Sequence, residues 1–158
     1  FGRYLKGKEK FVLRFDYQEN DSKDSLKFIT VWSDTDYAGC PISRKSNSGG
    51  VCMLKNHVIK TWCSTQSIIA LSPGEAEYYG LVRGAAHGLG VRNSMSDLGI
   101  QRRLKCKTDA SVAKSIASRR GAGKIRHIEV NQLWLQQRVA RGDVEIENAK
   151  LMKTSPIY

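Results

Sequence analysis

The segment from Ser72 to about Leu98 most constrains what this chain can fold into. Its length and composition predict one long helix, and glycines recur on one of its faces, four residues apart, at Gly80, Gly84 and Gly88. Each glycine lowers helix stability by roughly 1 kcal/mol relative to alanine. A helix that nevertheless carries three of them on one face is expected to pack that face closely against other backbone.

Two glutamates near the start of this helix have different expected roles. Ser72 is a typical N-cap residue, and Pro73 suits the first helical position. Glu75 lies three residues after Ser72, so it is expected to form a capping box, with its carboxylate reaching back to the N–H of Ser72. Glu77 lies beyond the first turn and has no capping role. It is either a solvated helix glutamate or a residue kept for chemistry.

The other regular segments alternate apolar and polar residues in the manner of strands, or repeat them in the manner of helices. Strands are predicted at 26–34, 51–54, 58–63, 104–108 and 144–148, and helices at 72–98, 110–119 and 127–141, with a turn-rich stretch from 35 to 50. A length of 158 residues fits one domain. This order of elements predicts an α/β fold, a mixed five-stranded sheet with flanking helices.

The charge of the chain points to a polyanionic partner. Twenty-six Lys and Arg residues face fifteen Asp and Glu residues, a formal net charge of +11. Such an excess favours nucleic acid as the partner, whereas the alternatives are an ordinary basic surface or a scaffold packed against RNA. No apolar run approaches the ~20 residues of a membrane span, and Phe1 to Lys10 lacks the apolar core of a signal peptide.

The cysteines indicate the redox compartment. Cys40, Cys52, Cys63 and Cys106 are widely spaced and form no C-x-x-C pair. This spacing argues against a zinc site or a disulfide framework and fits a reducing intracellular compartment, the cytoplasm or the nucleus. The chain begins with Phe1 and not with Met, which is typical of an excised piece of a longer protein.

Three acids are expected at comparable places in such a fold. Asp34 closes the first strand, Glu77 lies in the first turns of the long helix, and Asp109 follows the strand at 104–108. Ligands of open α/β sheets gather at the carboxyl ends of strands, and clustered carboxylates select Mg²⁺ or Mn²⁺. Two such ions can support phosphodiester cleavage. The alternatives are a solvated strand end for Asp34 and a helix N-cap for Asp109, a role that Thr108 could also fill.

At these residues the sequence resembles the ribonuclease H domain of copia-type LTR retrotransposon polyproteins. The stretches that carry the resemblance occur in family order: VWSDTDYAG (31–39), RKSNSGGVCML (44–54), IKTWCSTQSIIALSPGEAEYYGL (59–81), KTDASVAKSIA (107–117) and KIRHIEVNQLWLQQRVARGDVEIE (124–147). The resemblance implies an RNase H-like fold, two Mg²⁺ or Mn²⁺ ions, and cleavage of the RNA strand of RNA–DNA hybrids. It also implies that residues 1–25 end a reverse transcriptase connection, that 26–148 form the domain, and that 149–158 are a short tail.

The resemblance assigns the metal-binding acids residue by residue. Asp34 matches the first Asp of S-D-x-D, Glu77 the second Glu of E-A-E-Y, and Asp109 the third acid. His127 matches a histidine typical of the family, and no catalytic role is assigned to it. The family usually has a fourth metal-binding Asp and a final helix, whereas here no acid follows Glu147 and the final helix is expected to be missing. The alternative hypothesis is therefore a decayed or domesticated module that binds nucleic acid or serves as a structural subunit of a larger assembly.

Basic and polar residues in two loops are the candidates for binding nucleic acid. They are Arg44, Lys45, Ser46 and Asn47 near the hairpin, and Arg119, Arg120, Lys124 and Arg126 in a basic glycine loop. A hybrid would be held by its backbone and its 2′-hydroxyls rather than by its base sequence. The alternative for both groups is an ordinary solvated loop.

Overall fold

A computed structural model describes Lys6, Phe15, residues 27–121, Ile128 and residues 132–149. The elements follow one another along the chain as β1 (Phe28–Asp36), β2 (Asn47–Leu54), β3 (His57–Thr65), α1 (Pro73–Asp97), β4 (Arg103–Thr108), α2 (Ser111–Ser118), α3 (Trp134–Ala140) and β5 (Val144–Asn148).

The five strands form one mixed sheet in the order β3-β2-β1-β4-β5. The hairpins β1–β2 and β2–β3 are antiparallel, whereas β4 pairs with β1 and with β5 in parallel. The parallel pairs require crossovers, which α1 and then α2 with α3 supply. The predicted mixed five-stranded sheet with flanking helices is confirmed.

The long helix α1 packs on the centre of the sheet. Alternate residues of β1, beginning with Ile29 and Val31, are fully buried on this side. A Cβ atom at Gly80 would lie 2.3 Å from Oγ1 of Thr35, and one at Gly88 would lie 2.5 Å from Cδ1 of Leu104. The glycines therefore let the helix approach the sheet closely, as expected. The atoms that they meet are side chains of the strands, however, and not other backbone as predicted.

Several bounds differ from those predicted. β2 begins at Asn47 rather than at 51, because Asn47 to Gly50 pair with the end of β1. The third helix begins at Trp134 rather than at 127, and Ile128 lies in a bend. Of the apolar positions that suggested a longer helix, Ile128 is buried in the core and Leu133 packs against it partly buried. The apolar pattern therefore predicted burial at these positions but not the conformation of the chain.

The predicted helix ends are confirmed at two glycines. Gly99 and Gly142 have φ values of 78° and 76°, a conformation that glycine adopts without strain. Gly99 N donates to the carbonyl oxygen of Ser96, and Gly142 N donates to that of Val139, which closes the preceding helices.

Two further features bear on the class of protein. All four cysteines are free, and Cys52 and Cys106 are buried in the sheet. Across the described part of the chain, the helices are too short or too polar to span a lipid bilayer.

Candidate metal centre

The three predicted acids meet at one edge of the sheet. Asp34 and Asp109 lie at the carboxyl ends of β1 and β4, which are parallel neighbours, and α1 brings Glu77 to the same edge. One carboxylate oxygen from each residue lies within 4.8 Å of the others. Among the described residues, these are the acids, cysteines and histidines whose geometry could hold a metal ion.

The electrostatics of the cluster favour a cation. Burial raises the pKa of Glu77 to about 7, and the negative charges of Asp34 and Asp109 contribute to this rise, against the opposing effect of the Thr35 backbone N–H. Asp34 and Asp109 are exposed, so ions and solvent can reach the cluster. Three hard oxygen donors that repel one another are the ligand set that suits Mg²⁺ or Mn²⁺.

Glu75, two residues before Glu77, has a structural role. Its backbone N–H donates to Oγ of Ser72 at 3.2 Å, which confirms the N-cap. Its carboxylate accepts from the N–H of Leu71 at 2.9 Å, and not from that of Ser72 as the capping box predicted. It also accepts from the hydroxyl of Tyr79. Glu75 is buried by these contacts and lies outside the metal cluster.

Asp109 does not cap the helix that follows it. The N-cap of α2 is Ala110, and no side chain caps this helix. Thr108 instead accepts a hydrogen bond on Oγ1 from the N–H of Ala110 at 3.2 Å. The carboxylate of Asp109 therefore has no capping role and can take part in the cluster with Asp34 and Glu77.

The predicted nucleic-acid residues of the hairpin occupy different environments. Arg44 is exposed with φ 57°, and Lys45 is partly exposed. Ser46 is buried, and its Oγ accepts from the N–H of Ala38 at 3.1 Å, which supports the turn. Asn47 begins β2, and its side-chain oxygen accepts a hydrogen bond from β3. Arg44 and Lys45 are thus the members of this group that present charge to solvent.

The second predicted group begins at the end of α2. Arg119 is partly exposed and Arg120 is exposed. Lys124, Arg126 and His127 lie outside the described residues.

Sequence reasoning missed a buried polar network beside the cluster. The side-chain nitrogen of Gln66 donates to Oγ of Ser48 at 2.7 Å and to the carbonyl oxygen of Ala76 at 2.8 Å. Oγ of Ser48 lies 3.3 Å from Oγ1 of Thr35. A lone Gln in the stretch WCSTQSIIALS carries no periodic signal, so only the three-dimensional positions of its partners show its burial.

Comparison with known proteins finds one relative by sequence and several solved structures with a similar fold. No family model matches the sequence. The Retrovirus-related Pol polyprotein from transposon TNT 1-94 of Nicotiana tabacum is 25% identical over 155 residues, which cover 92% of this chain and 11% of that polyprotein. The chain thus spans about a tenth of the length of this relative.

The similar solved structures are ribonucleases H and a viral reverse transcriptase. RNase H1 of Halobacterium salinarum NRC-1 has a TM-score of 0.50 and 15% identity over 78% of this chain and 86% of that one. The N-terminal RNase H domain of a Mycobacterium tuberculosis protein has a TM-score of 0.52 and 17% identity over 80% of this chain and 84% of that one. The foamy viral protease–reverse transcriptase, solved with double-stranded DNA, has a TM-score of 0.50 and 10% identity over 94% of this chain and 25% of that one.

These structures share the fold of the chain, and a part of the polyprotein is similar to it in sequence. The copia-type assignment is finer than these matches and stays a prediction. The chain therefore has an RNase H-like fold, and its sequence is similar to part of a retrotransposon Pol polyprotein.

Proposed function

We propose that this domain is a divalent-metal-dependent ribonuclease H that hydrolyses the RNA strand of RNA–DNA hybrids. One observation carries the proposal: Asp34, Glu77 and Asp109, far apart in sequence, place their carboxylates within 4.8 Å of one another at an exposed edge. A strongly basic chain with an acidic pocket suits an enzyme that binds a polyanion and acts on its phosphodiester bonds.

The three acids would hold Mg²⁺ or Mn²⁺, two ions in the working enzyme. When bound, such ions supply the Lewis-acid chemistry that activates water and stabilises the leaving oxygen of a phosphodiester. The protein contributes the positions of the ligands. The Thr35 N–H donates to Oδ1 of Asp34 at 2.9 Å and fixes this carboxylate, while the partial burial of Glu77 lowers the local dielectric.

Hybrid would be held by exposed or partly exposed cations in two loops. Arg44 and Lys45 on the hairpin, and Arg119 and Arg120 after α2, are the described candidates, and each would contact phosphates rather than bases. Ser46, Asn47, Lys124 and Arg126 complete the proposed set, with Ser46 supporting the turn from inside.

The test is cleavage of a duplex with a labelled RNA strand and an unlabelled DNA strand, in Mg²⁺ and in Mn²⁺. We expect metal-dependent RNA fragments from the wild-type chain and none from Asp34→Asn, which removes one ligand charge without changing side-chain size. Double-stranded DNA and single-stranded RNA of the same sequence serve as control substrates.

Circular dichroism and hybrid binding of Asp34→Asn must match those of the wild type for the comparison to hold. If the wild type binds hybrid and never cuts it, the enzyme proposal is wrong, and the binding-module hypothesis replaces it. Equal cutting by Asp34→Asn would show a contaminating nuclease or a site elsewhere.

A further inference from the structure

We propose that Gln66 is a positioning residue for the metal cluster, acting as a tie between the strand end that carries Asp34 and the helix start that carries Glu77. This inference rests on the proposed metal-dependent function. It concerns how the chain keeps mutually repelling acids at ligand spacing.

Gln66 lies between β3 and α1 and is 7% exposed. Its main chain is fixed by a hydrogen bond from its N–H to the carbonyl oxygen of Ser46 at 2.8 Å. Its side-chain nitrogen donates to two elements, to Oγ of Ser48 on β2 and to the carbonyl oxygen of Ala76 on α1. One amide group thus joins the sheet to the first turn of the helix.

Each end of this tie reaches the neighbour of an acid. Ala76 directly precedes Glu77 in the helix. On the sheet, Oγ of Ser48 contacts Oγ1 of Thr35 at 3.3 Å, and Thr35 directly follows Asp34, to which its N–H donates. The path Ala76–Gln66–Ser48–Thr35 therefore joins the chain neighbours of two proposed metal ligands through two buried hydrogen bonds and one partly buried hydrogen bond.

The hydrogen bonds of Gln66 oppose the electrostatic repulsion among the three acids. One carboxylate oxygen of each acid lies within 4.8 Å of the others, so their like charges repel one another when no cation is bound and favour movement of α1 away from the ends of β1 and β4. Neutral, buried hydrogen bonds resist this displacement without adding charge to the site. Groups that hydrogen-bond to metal ligands typically change metal affinity by about 10- to 100-fold when they are removed, and Gln66, which contacts no ligand directly, is expected to act at the lower end of that range.

The ordinary alternative is that Gln66 only satisfies buried polar groups and stabilises the core. Gln136 provides a matched control for this, because it is also 7% exposed and its side-chain nitrogen donates to two carbonyl oxygens. Those partners are Ile116 at 2.8 Å and Gly121 at 3.1 Å, in and after α2. Neither of them adjoins an acid of the cluster.

The experiment compares Gln66→Met with Gln136→Met, since Met keeps the length of the side chain and removes the donors. Mn²⁺ binding to each protein is measured by isothermal titration calorimetry without nucleic acid, and thermal unfolding is measured in EDTA. We expect both variants to lose thermal stability, and only Gln66→Met to bind Mn²⁺ roughly tenfold more weakly than the wild type.

Unchanged Mn²⁺ affinity in Gln66→Met, or an equal loss in Gln136→Met, would overturn the tie and leave the proposed function standing. Failure of the wild type to bind Mn²⁺ would instead contradict the proposed function as well. If Gln66→Met does not fold, Ser48→Ala takes its place, because it cuts the same path between Gln66 and Thr35. A several-fold loss of affinity supports the tie, and no loss overturns it.

Discussion

At the scale of single residues, the functional question is which of two neighbouring glutamates serves chemistry. Glu75 accepts hydrogen bonds from Leu71 and Tyr79 and is itself buried. Burial, followed by the charges of Asp34 and Asp109, raises the pKa of Glu77 to about 7. A carboxylate with satisfied hydrogen bonds stabilises the fold, whereas one held among like charges makes the fold less stable until a cation arrives.

This difference predicts how stability depends on pH. The pKa of Glu77 in the folded protein, about 7, lies above its ordinary value of 4.5. Without metal, the folded state therefore retains a proton that the unfolded chain releases. The stabilisation that this proton gives is complete below about pH 4.5 and is lost as the pH rises through about 7.

Glu77→Gln keeps the shape of the protonated side chain at every pH. In EDTA, we expect its melting temperature to match that of the wild type near pH 4.5 and to exceed it at about pH 8, as measured by calorimetry at both values. Glu145→Gln, on β5 and outside the cluster, is the control and should show no such gain at the higher pH. A Glu77→Gln protein that is less stable than the wild type at the higher pH would contradict the interpretation of the cluster.

At the scale of elements, the approach of α1 to the sheet depends on glycines that have no room for a side chain. Gly80 lies against Thr35 and Ser48, the strand residues of the tie to Gln66. At Gly90, on the same helix, a Cβ would meet no atom of the described residues within 4 Å, apart from its chain neighbours and the backbone of its own helix. The two glycines therefore separate the effect of packing from that of helix propensity.

Alanine at these two positions should act in opposite directions. Gly80→Ala places a methyl group 2.3 Å from Oγ1 of Thr35, a β-branched side chain with little freedom to move, and we expect it to lower the free energy of unfolding by about 1–3 kcal/mol. Gly90→Ala should raise it by about 0.5–1 kcal/mol, since only backbone entropy changes. Urea denaturation measures both, and a stabilising Gly80→Ala would show that α1 is not held against β1.

The elements also show what the sequence could predict. The order of strands and helices, the glycine face and the N-cap at Ser72 follow from local patterns, and the structure agrees with them. The start of α3 at Trp134 could not be predicted from the sequence, because the spacing of apolar residues indicates which positions are buried whether or not the segment is helical. Gln66 did not follow either, since its partners lie on other elements and only the folded chain brings them together.

At the scale of the whole molecule, some of the cations are neutralised by neighbouring acids, whereas others are exposed to an approaching polyanion. Along β4 the cations are paired with acids of β5: Arg103 with Glu145, and both Lys105 and Lys107 with Glu147. These pairs lower the net charge of that face. Arg44 and Arg120 are exposed in loops outside these two strands, so they contribute more to the field that a polyanion meets.

Hybrid binding should therefore depend on salt in a way that maps these cations. The Asp34→Asn protein is used because it is expected not to cleave the hybrid during the measurement. We expect fluorescence anisotropy to show that its affinity for the hybrid falls steeply as the salt concentration rises, because phosphates that the protein contacts release their counterions. Replacing Arg44 and Lys45 together by Ala should reduce the slope of log K against log salt by about 1 for each phosphate that the protein no longer neutralises. Arg103→Ala, which removes a cation already paired with Glu145, should leave the slope unchanged. If the affinity for the hybrid is the same at low and high salt, electrostatic contacts to phosphates do not contribute to binding, and the net charge of +11 has no role in it.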